Sequence, residues 1–268
     1  MKILVTNDDG ILAEGLWILT KELIHAGRVV VIAPDREQSA IGTAVTLSQP
    51  LRVQKVRPLI PGVEAYAVQG TPGDSVILAL EKLVKDEVSL VISGINQGLN
   101  LGNDVLISGT VSAALQGYLR GFPAIAISLS STDPECLEGA ARMATILSQK
   151  IISSALPANV FLNVNLPDLP PSQIKGIKAT HLASESHIDT VEEGHDGKRG
   201  YYWLVRQRAK DKNHDEKTDI GTIEQGFVSI TPLHIYQDNR WALATTEDFC
   251  TDDLCSKLFH ELQETGRE

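Results

Sequence analysis

"KILVTNDDGILAEGLWILTKELIHAGRVVVIAP", residues Lys2–Pro34, sets two continuous apolar runs on either side of a segment with helical periodicity. Lys2–Thr6 is β-rich without alternation, as expected of a strand covered on both faces. From Glu14 to Ala26 apolar residues recur at helical spacing, and Gly27 is a natural stop. "RVVVIAP" (Arg28–Pro34) is a second buried strand. Strand, helix and strand over this length make a βαβ unit, which implies a parallel sheet.

The pattern repeats downstream. "TPGDSVILALEKLVK" (Thr71–Lys85) has a Thr cap and a Pro in its first turn, and "SLVISG" (Ser89–Gly94) follows as a buried strand. A helix over "GTVSAALQGYLRG" ends at Gly121, then come the strand "AIAISL" (Ala124–Leu129), a long helix from Pro134 to about Ser154, and the strand "NVFLNVNLP" (Asn159–Pro167). This alternation predicts an α/β fold with a doubly wound, mostly parallel sheet. After Pro170 the text changes to short alternating strands, "IKGIKATHLA", "YYWLVRQ" and "FVSITPL", around the polar stretch Glu185–Gly200. These predict a β-hairpin appendage, and Thr246–Gln263 predicts a closing amphipathic helix. The expected division is a core over 1–170 and an appendage with a terminal arm over 171–268.

With 24 basic and 34 acidic residues, the 268-residue chain carries a net charge of -10, which argues against a broad surface for nucleic acid or an anionic membrane. Three cysteines, Cys136, Cys250 and Cys255, without a CxxC pair, suggest neither a disulfide framework nor a zinc knuckle. With no stretch of about 18 uninterrupted apolar residues, the expected location is cytoplasmic.

In an open α/β sheet ligands bind beyond the carboxyl ends of the strands, so the residues after each strand carry the chemistry. After the first strand stand Asn7, Asp8, Asp9 and Gly10. Adjacent carboxylates repel unless a cation lies between them, and they can meet one ion only where the chain turns. Two carboxylates with a hydroxyl or amide oxygen suffice for Mg2+ or Mn2+, which makes Ser39 and Asn96 the candidate neutral ligands. Each element also has a plain reading: "NDDG" as a turn into a helix, Ser39 as a loop hydroxyl, Asn96 as an Asx-turn residue. "GINQGLNLGNDVLISGT" (Gly94–Thr110) resists one, because its glycines and asparagines form no core yet join a buried strand to a good helix. Ser108, Gly109 and Thr110 open that helix, either as an anion pocket at the positive end of its dipole or as an ordinary cap. The histidines show no HxH or HExxH spacing, and the GxSxG elbow and the GxxxxGK[ST] loop are both missing. A receiver domain also pairs acids after its first strand, but it needs an acceptor Asp where this chain has "SGIN". A non-catalytic nucleotide-binding or assembly protein is the other rival.

Taken together, "ILVTNDDG", "APDREQSAIG", "AVQGTPGDSV", "SGINQGLNLGNDVLISGTVSAA", "LNVNLP" and "TDIGTIEQGFVSITPL" resemble the SurE family of stationary-phase survival proteins, metal-dependent nucleoside monophosphate phosphatases. The resemblance implies a Rossmann-like core with a protruding hairpin and a C-terminal arm exchanged within a homodimer or homotetramer. It implies 5'-nucleotidase activity, with action on 3' monophosphates also in its range. It further implies one divalent ion on Asp8, Asp9, Ser39 and Asn96 and phosphate near Asn96, Ser108, Gly109 and Thr110; on that basis the expected catalytic residues are Asp8, Asp9, Asn96 and Ser108, with Asp9 taken as general base. The sequence departs from the family pattern at Gly73, where alanine is common, and at Ile107, where tyrosine is common.

Overall fold

In chain order the elements are β1 (Lys2–Thr6), α1 (Glu14–Leu23), β2 (Arg28–Pro34), β3 (Arg52–Val56), β4 (Glu64–Gln69), α2 (Pro72–Leu78), β5 (Leu90–Gln97) and α3 (Gly109–Tyr118). They continue with β6 (Ala124–Leu129), α4 (Pro134–Ile152), β7 (Phe161–Leu166), β8 (Ile177–Ala179), β9 (Ile188–His195), β10 (Gly200–Arg206), α5 (Asp219–Glu224), β11 (Val228–Pro232) and α6 (Asp252–Glu264). The structure, a computed structural model, describes residues 2–84, 87–157, 159–185, 188–206, 214–234 and 252–264.

Nine strands form one sheet in the order β3-β4-β2-β1-β5-β6-β7-β11-β8. From β4 to β7 every neighbouring pair is parallel, while β3 and β11 run antiparallel to β4 and β7. The chain leaves β1 toward β2 on one side and returns to β5 on the other. That reversal opens a crevice beyond the carboxyl ends of β1 and β5, the place where such sheets bind ligands.

Alternate residues explain the uninterrupted apolar runs. Ile3, Val5, Val29 and Val31 pack against Leu16, Leu19 and Leu23 of α1 and Ala140, Met143 and Leu147 of α4. Leu4, Val30, Ile32 and Val91 face the other way, onto Val76 of α2 and Ala113 of α3. Each large side chain so buried contributes about 1.5–3 kcal/mol. Cys255, Leu258 and Leu262 of α6 join the first layer, and Lys150 of α4 donates to Glu261 at 2.6 Å.

Three features differ from expectation. The stretch between β2 and α2, for which the sequence reading names no element, contains β3 and β4; β3 is an exposed edge strand and so lacks a hydrophobic signature. The "YYWLVR" strand pairs with Ile188–His195, part of the stretch expected to be a polar separator, whereas "IKA" and "VSITP" join the main sheet as β8 and β11. The closing helix begins at Asp252, and the earlier part of the expected segment lies outside the described residues. No helix among the described residues is long and apolar enough to cross a membrane.

Candidate active site

The turn after β1 is built by Asn7. Its Nδ2 donates to the Gly10 carbonyl at 3.0 Å, and the Gly10 N–H donates to its Oδ1 at 3.2 Å, while Gly10 adopts φ +98°. Glycine takes that conformation without steric cost. The Asp8 carbonyl accepts the Gln38 N–H at 2.7 Å, which ties the loop carrying Ser39 to the same turn.

The two carboxylates, close enough to repel, are held by different elements. Asp8 is 3% exposed and points at α3, where the Thr110 hydroxyl donates to its Oδ1 at 2.5 Å. A Cβ on Gly109 would lie 2.7 Å from Asp8 Cβ and 2.8 Å from its Oδ2, so the close approach of helix and carboxylate requires glycine. Burial pushes the Asp8 pKa from 3.8 to about 6; the Thr110 hydrogen bond opposes that rise and the Asp9 charge adds to it. Asp9 turns toward α1 and α4, and its Oδ2 accepts the Gln97 N–H at 3.3 Å. Burial also raises its pKa, countered by Gln97 and reinforced by Glu37.

Asp9, Ser39, Glu37 and Gln97 line a cavity of about 350 Å³ with Glu14 at the start of α1 and Ser131 and Thr132 ahead of α4. The Ser39 hydroxyl donates to Glu37 at 2.7 Å, which leaves its lone pairs for another partner. Asn96 follows a bulge in β5, where Ser93 pairs with Ala126 and Asn96 with Ser128. The bulge re-aims its side chain. Its Nδ2 donates to the Gly98 carbonyl at 2.7 Å, leaving Oδ1 as the acceptor. Ser108 caps α3: its oxygen accepts the Val111 N–H at 3.1 Å, so its own O–H remains to donate. Asp8, Gly109 and Thr110 are thus in direct contact, Asp9 and Ser39 share one cavity, and Asn96 sits beside Gln97, the residue that holds Asp9.

Among the described residues no Lys, Arg or His pairs with Asp8 or Asp9, and no three His, Cys, Asp or Glu side chains converge on a metal-sized site. Two repelling, partly desolvated carboxylates with neutral oxygens nearby are a donor set that fits a hard divalent cation rather than zinc.

A family model described as Survival protein SurE matches residues 3–189. The chain belongs to the SurE family. It is 58% identical over 236 residues to a protein of Dehalococcoides mccartyi named 5'-nucleotidase SurE, covering 87% of this chain and 89% of that one. A Moorella thermoacetica protein of the same name is 47% identical over 236 residues, with 88% and 90% covered. The crystal structure of the SurE protein from Aquifex aeolicus is 34% identical, covers 91% of this chain and 98% of its own, and superposes with a TM-score of 0.76.

The SurE blocks contain residues whose work was not legible in the sequence. In "LNVNLP", Asn163 and Asn165 donate to the Asn100 carbonyl at 2.8 and 3.0 Å, and Asn165 Oδ1 accepts the Asn100 N–H at 2.8 Å. The asparagine-rich loop is therefore anchored on β7. In "GTPGDSV", buried Asp74 accepts the Thr46 N–H at 2.8 Å and hydroxyl at 2.6 Å, holding the segment that follows Ser39. The T-x-x-D spacing of Thr71 and Asp74, which closes a capping box, was the available signal. At the other departure from the family pattern, the Ile107 carbonyl accepts the Gly42 N–H at 2.8 Å, so that residue joins the two loops through its backbone.

Proposed function

We infer that this chain is a 5'-nucleotidase, a phosphoric monoester hydrolase that converts nucleoside monophosphates to nucleoside and phosphate, with 3' monophosphates also within its range. The observation that carries this reading is the buried Asp8 carboxylate, unpaired with any base among the described residues and held against the N-terminus of α3 at the crevice between β1 and β5. The names of the relatives support the substrate class.

Asp8, Asp9, Ser39 and Asn96 would hold one divalent ion, Mg2+ or Mn2+. When bound, that ion supplies a Lewis acid for a phosphoryl oxygen and lowers the pKa of a water. Phosphate is received by the chain itself: the Ser108 O–H and the free Gly109 N–H point from the positive end of α3, and Asn96 adds its amide. Thr110 lines the same phosphate site and orients Asp8 there through both its hydroxyl and its N–H. A phosphate monoester requires acceleration of order 10²¹-fold, about 20 kcal/mol or more. One oriented donor is worth about 3–4 kcal/mol, so several must act together. Asp9, at the mouth of the cavity, takes the proton of the attacking water.

The phosphate dianion avoids the cavity side of Asp9, where Glu14 and Glu37 add negative charge, and lies toward α3. A homodimer or homotetramer with an exchanged C-terminal arm is the proposed assembly. Tyr202, Trp203 and Leu204 on β10 are 68%, 65% and 72% exposed, more apolar surface than a solvated hairpin needs, which supports association there. The proposed location is cytoplasmic, with no stable nucleic-acid complex. Replacing Asp9 by Asn tests the chemistry: metal-dependent phosphate release from AMP falls at least about 10²-fold, as expected for a general base. Unchanged turnover removes Asp9 from the mechanism.

A further inference from the structure

The segment from Gly98 to Ile107 connects two parts of the proposed site, Asn96 and Ser108, with only a short 3₁₀ turn at Gly102–Leu106 of its own. A loop so placed takes its position from what lies behind it. One support is Asn165 on β7. The other comes from far along the chain: fully buried Asp219, first residue of α5, accepts the Gly102 N–H at 2.7 Å on Oδ2 and the Ala183 N–H at 2.9 Å on Oδ1. A single carboxylate thus joins the loop to the segment ahead of the hairpin.

Independent contacts reinforce that joint. The Asn103 N–H donates to the Glu185 carbonyl at 2.7 Å, and Asn103 Nδ2 donates to the Ser184 carbonyl at 3.1 Å. Leu101, Ala183 and Ile220 close into an apolar cluster separate from the main core. The other end of α5 is tied to the same segment, since His214 bridges Glu224 at 2.8 Å and Glu185 at 3.0 Å. A carboxylate accepting several backbone N–H groups forms strong, charge-assisted bonds, and leaving those amides unpaired in the interior costs about 1–3 kcal/mol each.

We propose that Asp219 is a positioning residue for the phosphate site: by clamping Gly102 and Ala183 it fixes the 98–108 loop and, through it, the Ser108 hydroxyl at the start of α3. The inference rests on the nucleotidase reading for its functional consequence, whereas the clamp itself does not. Asp8 and Asp9 in the turn after β1, and Ser39 in the loop after β2, lie outside the loop, so three of the four residues that would hold the ion stay in place and loosening the loop separates two affinities that a general loss of structure lowers together. A shift of about 1 Å at a reacting group is enough for a large rate loss, of order 10²-fold.

The test compares Asp219→Asn and Asn103→Ala with the wild-type chain. It measures melting temperature, Mn2+ affinity by calorimetry, inhibition by inorganic phosphate, and kcat and KM for AMP. In Asp219→Asn one amide faces an NH2 instead of an acceptor. Phosphate affinity is expected to fall about tenfold or more and kcat with it, while Mn2+ affinity stays within about twofold. Asn103→Ala, which removes one exposed bond, shows the same selectivity at about threefold, and it decides the matter if Asp219→Asn does not fold. Unchanged phosphate affinity, or a parallel fall in phosphate affinity, Mn2+ affinity and melting temperature, overturns the proposal. If wild-type protein neither binds phosphate nor hydrolyses AMP, the nucleotidase reading fails. Hydrogen exchange at the Gly102 and Asn103 amides then decides the clamp: faster exchange in Asp219→Asn supports it and equal exchange overturns it.

Discussion

Replacing Asp8 by Asn should stabilise the metal-free protein at neutral pH while abolishing its activity. Burial raises the Asp8 pKa from 3.8 to about 6, so between those values the folded state binds the proton and the unfolded state has released it. Stability from this group is therefore fully present below about pH 4, is lost as pH rises through 6, and stays lost at pH 7. At about 1.4 kcal/mol per pH unit the loss is about 3 kcal/mol, and neutral Asn escapes it. For a chain of this size that is about 5–10 °C in melting temperature. The amide recovers less than the full amount where its NH2 meets Gly109 and Thr110. The assay is thermal unfolding with chelator present, at pH 7 and at pH 4.5. Asp8→Asn should melt above wild type at pH 7, the difference should shrink at pH 4.5, and added Mg2+ or Mn2+ should raise the wild type alone. A variant that melts at or below wild type at pH 7 in chelator refutes the claim that an uncompensated buried charge sits at this position.

Two further substitutions probe the same contact from the α3 side. Gly109→Ala places a methyl 2.7 Å from Asp8 Cβ, so kcat/KM for AMP should fall at least about 10²-fold with unchanged circular dichroism. Thr110→Val removes the hydroxyl that lowers the Asp8 pKa, so with chelator present the fall in metal-free stability as pH rises through about 6 should shift to higher pH. A fall that stays in place means the Thr110 hydroxyl does not act on Asp8.

The parts of the fold that the sequence exposes are those buried on both faces. β1, β2, β5 and β6 appear as apolar runs because helices cover both sides, β7 alternates because Asn163 and Asn165 face the Asn100 loop, and α1, α3 and α4 fall close to their expected limits. β3 and β9 carry little apolar patterning, since β3 lies at the edge of the sheet and the β9–β10 hairpin stands apart from it. The addition of β8 and β11 to the main sheet is a long-range pairing that no local pattern encodes. Asp8, Asp9, Ser39, Asn96 and the Ser108–Thr110 turn are visible in the sequence because polar residues interrupt apolar ones at strand ends. The long-range work of Asp74, Asn165 and Asp219 is not, because it is done on groups 28 to 117 residues away, and only the local Thr71–Asp74 cap shows in the sequence.

Phosphate release from AMP by chelator-treated protein, followed as Mg2+ or Mn2+ is added back, tests the central claim most directly. The account predicts no release above background in chelator and saturable restoration with either ion. It also predicts no restoration in Asp8→Asn at the same concentrations. Full turnover in excess chelator, or restoration in Asp8→Asn equal to wild type, would contradict it.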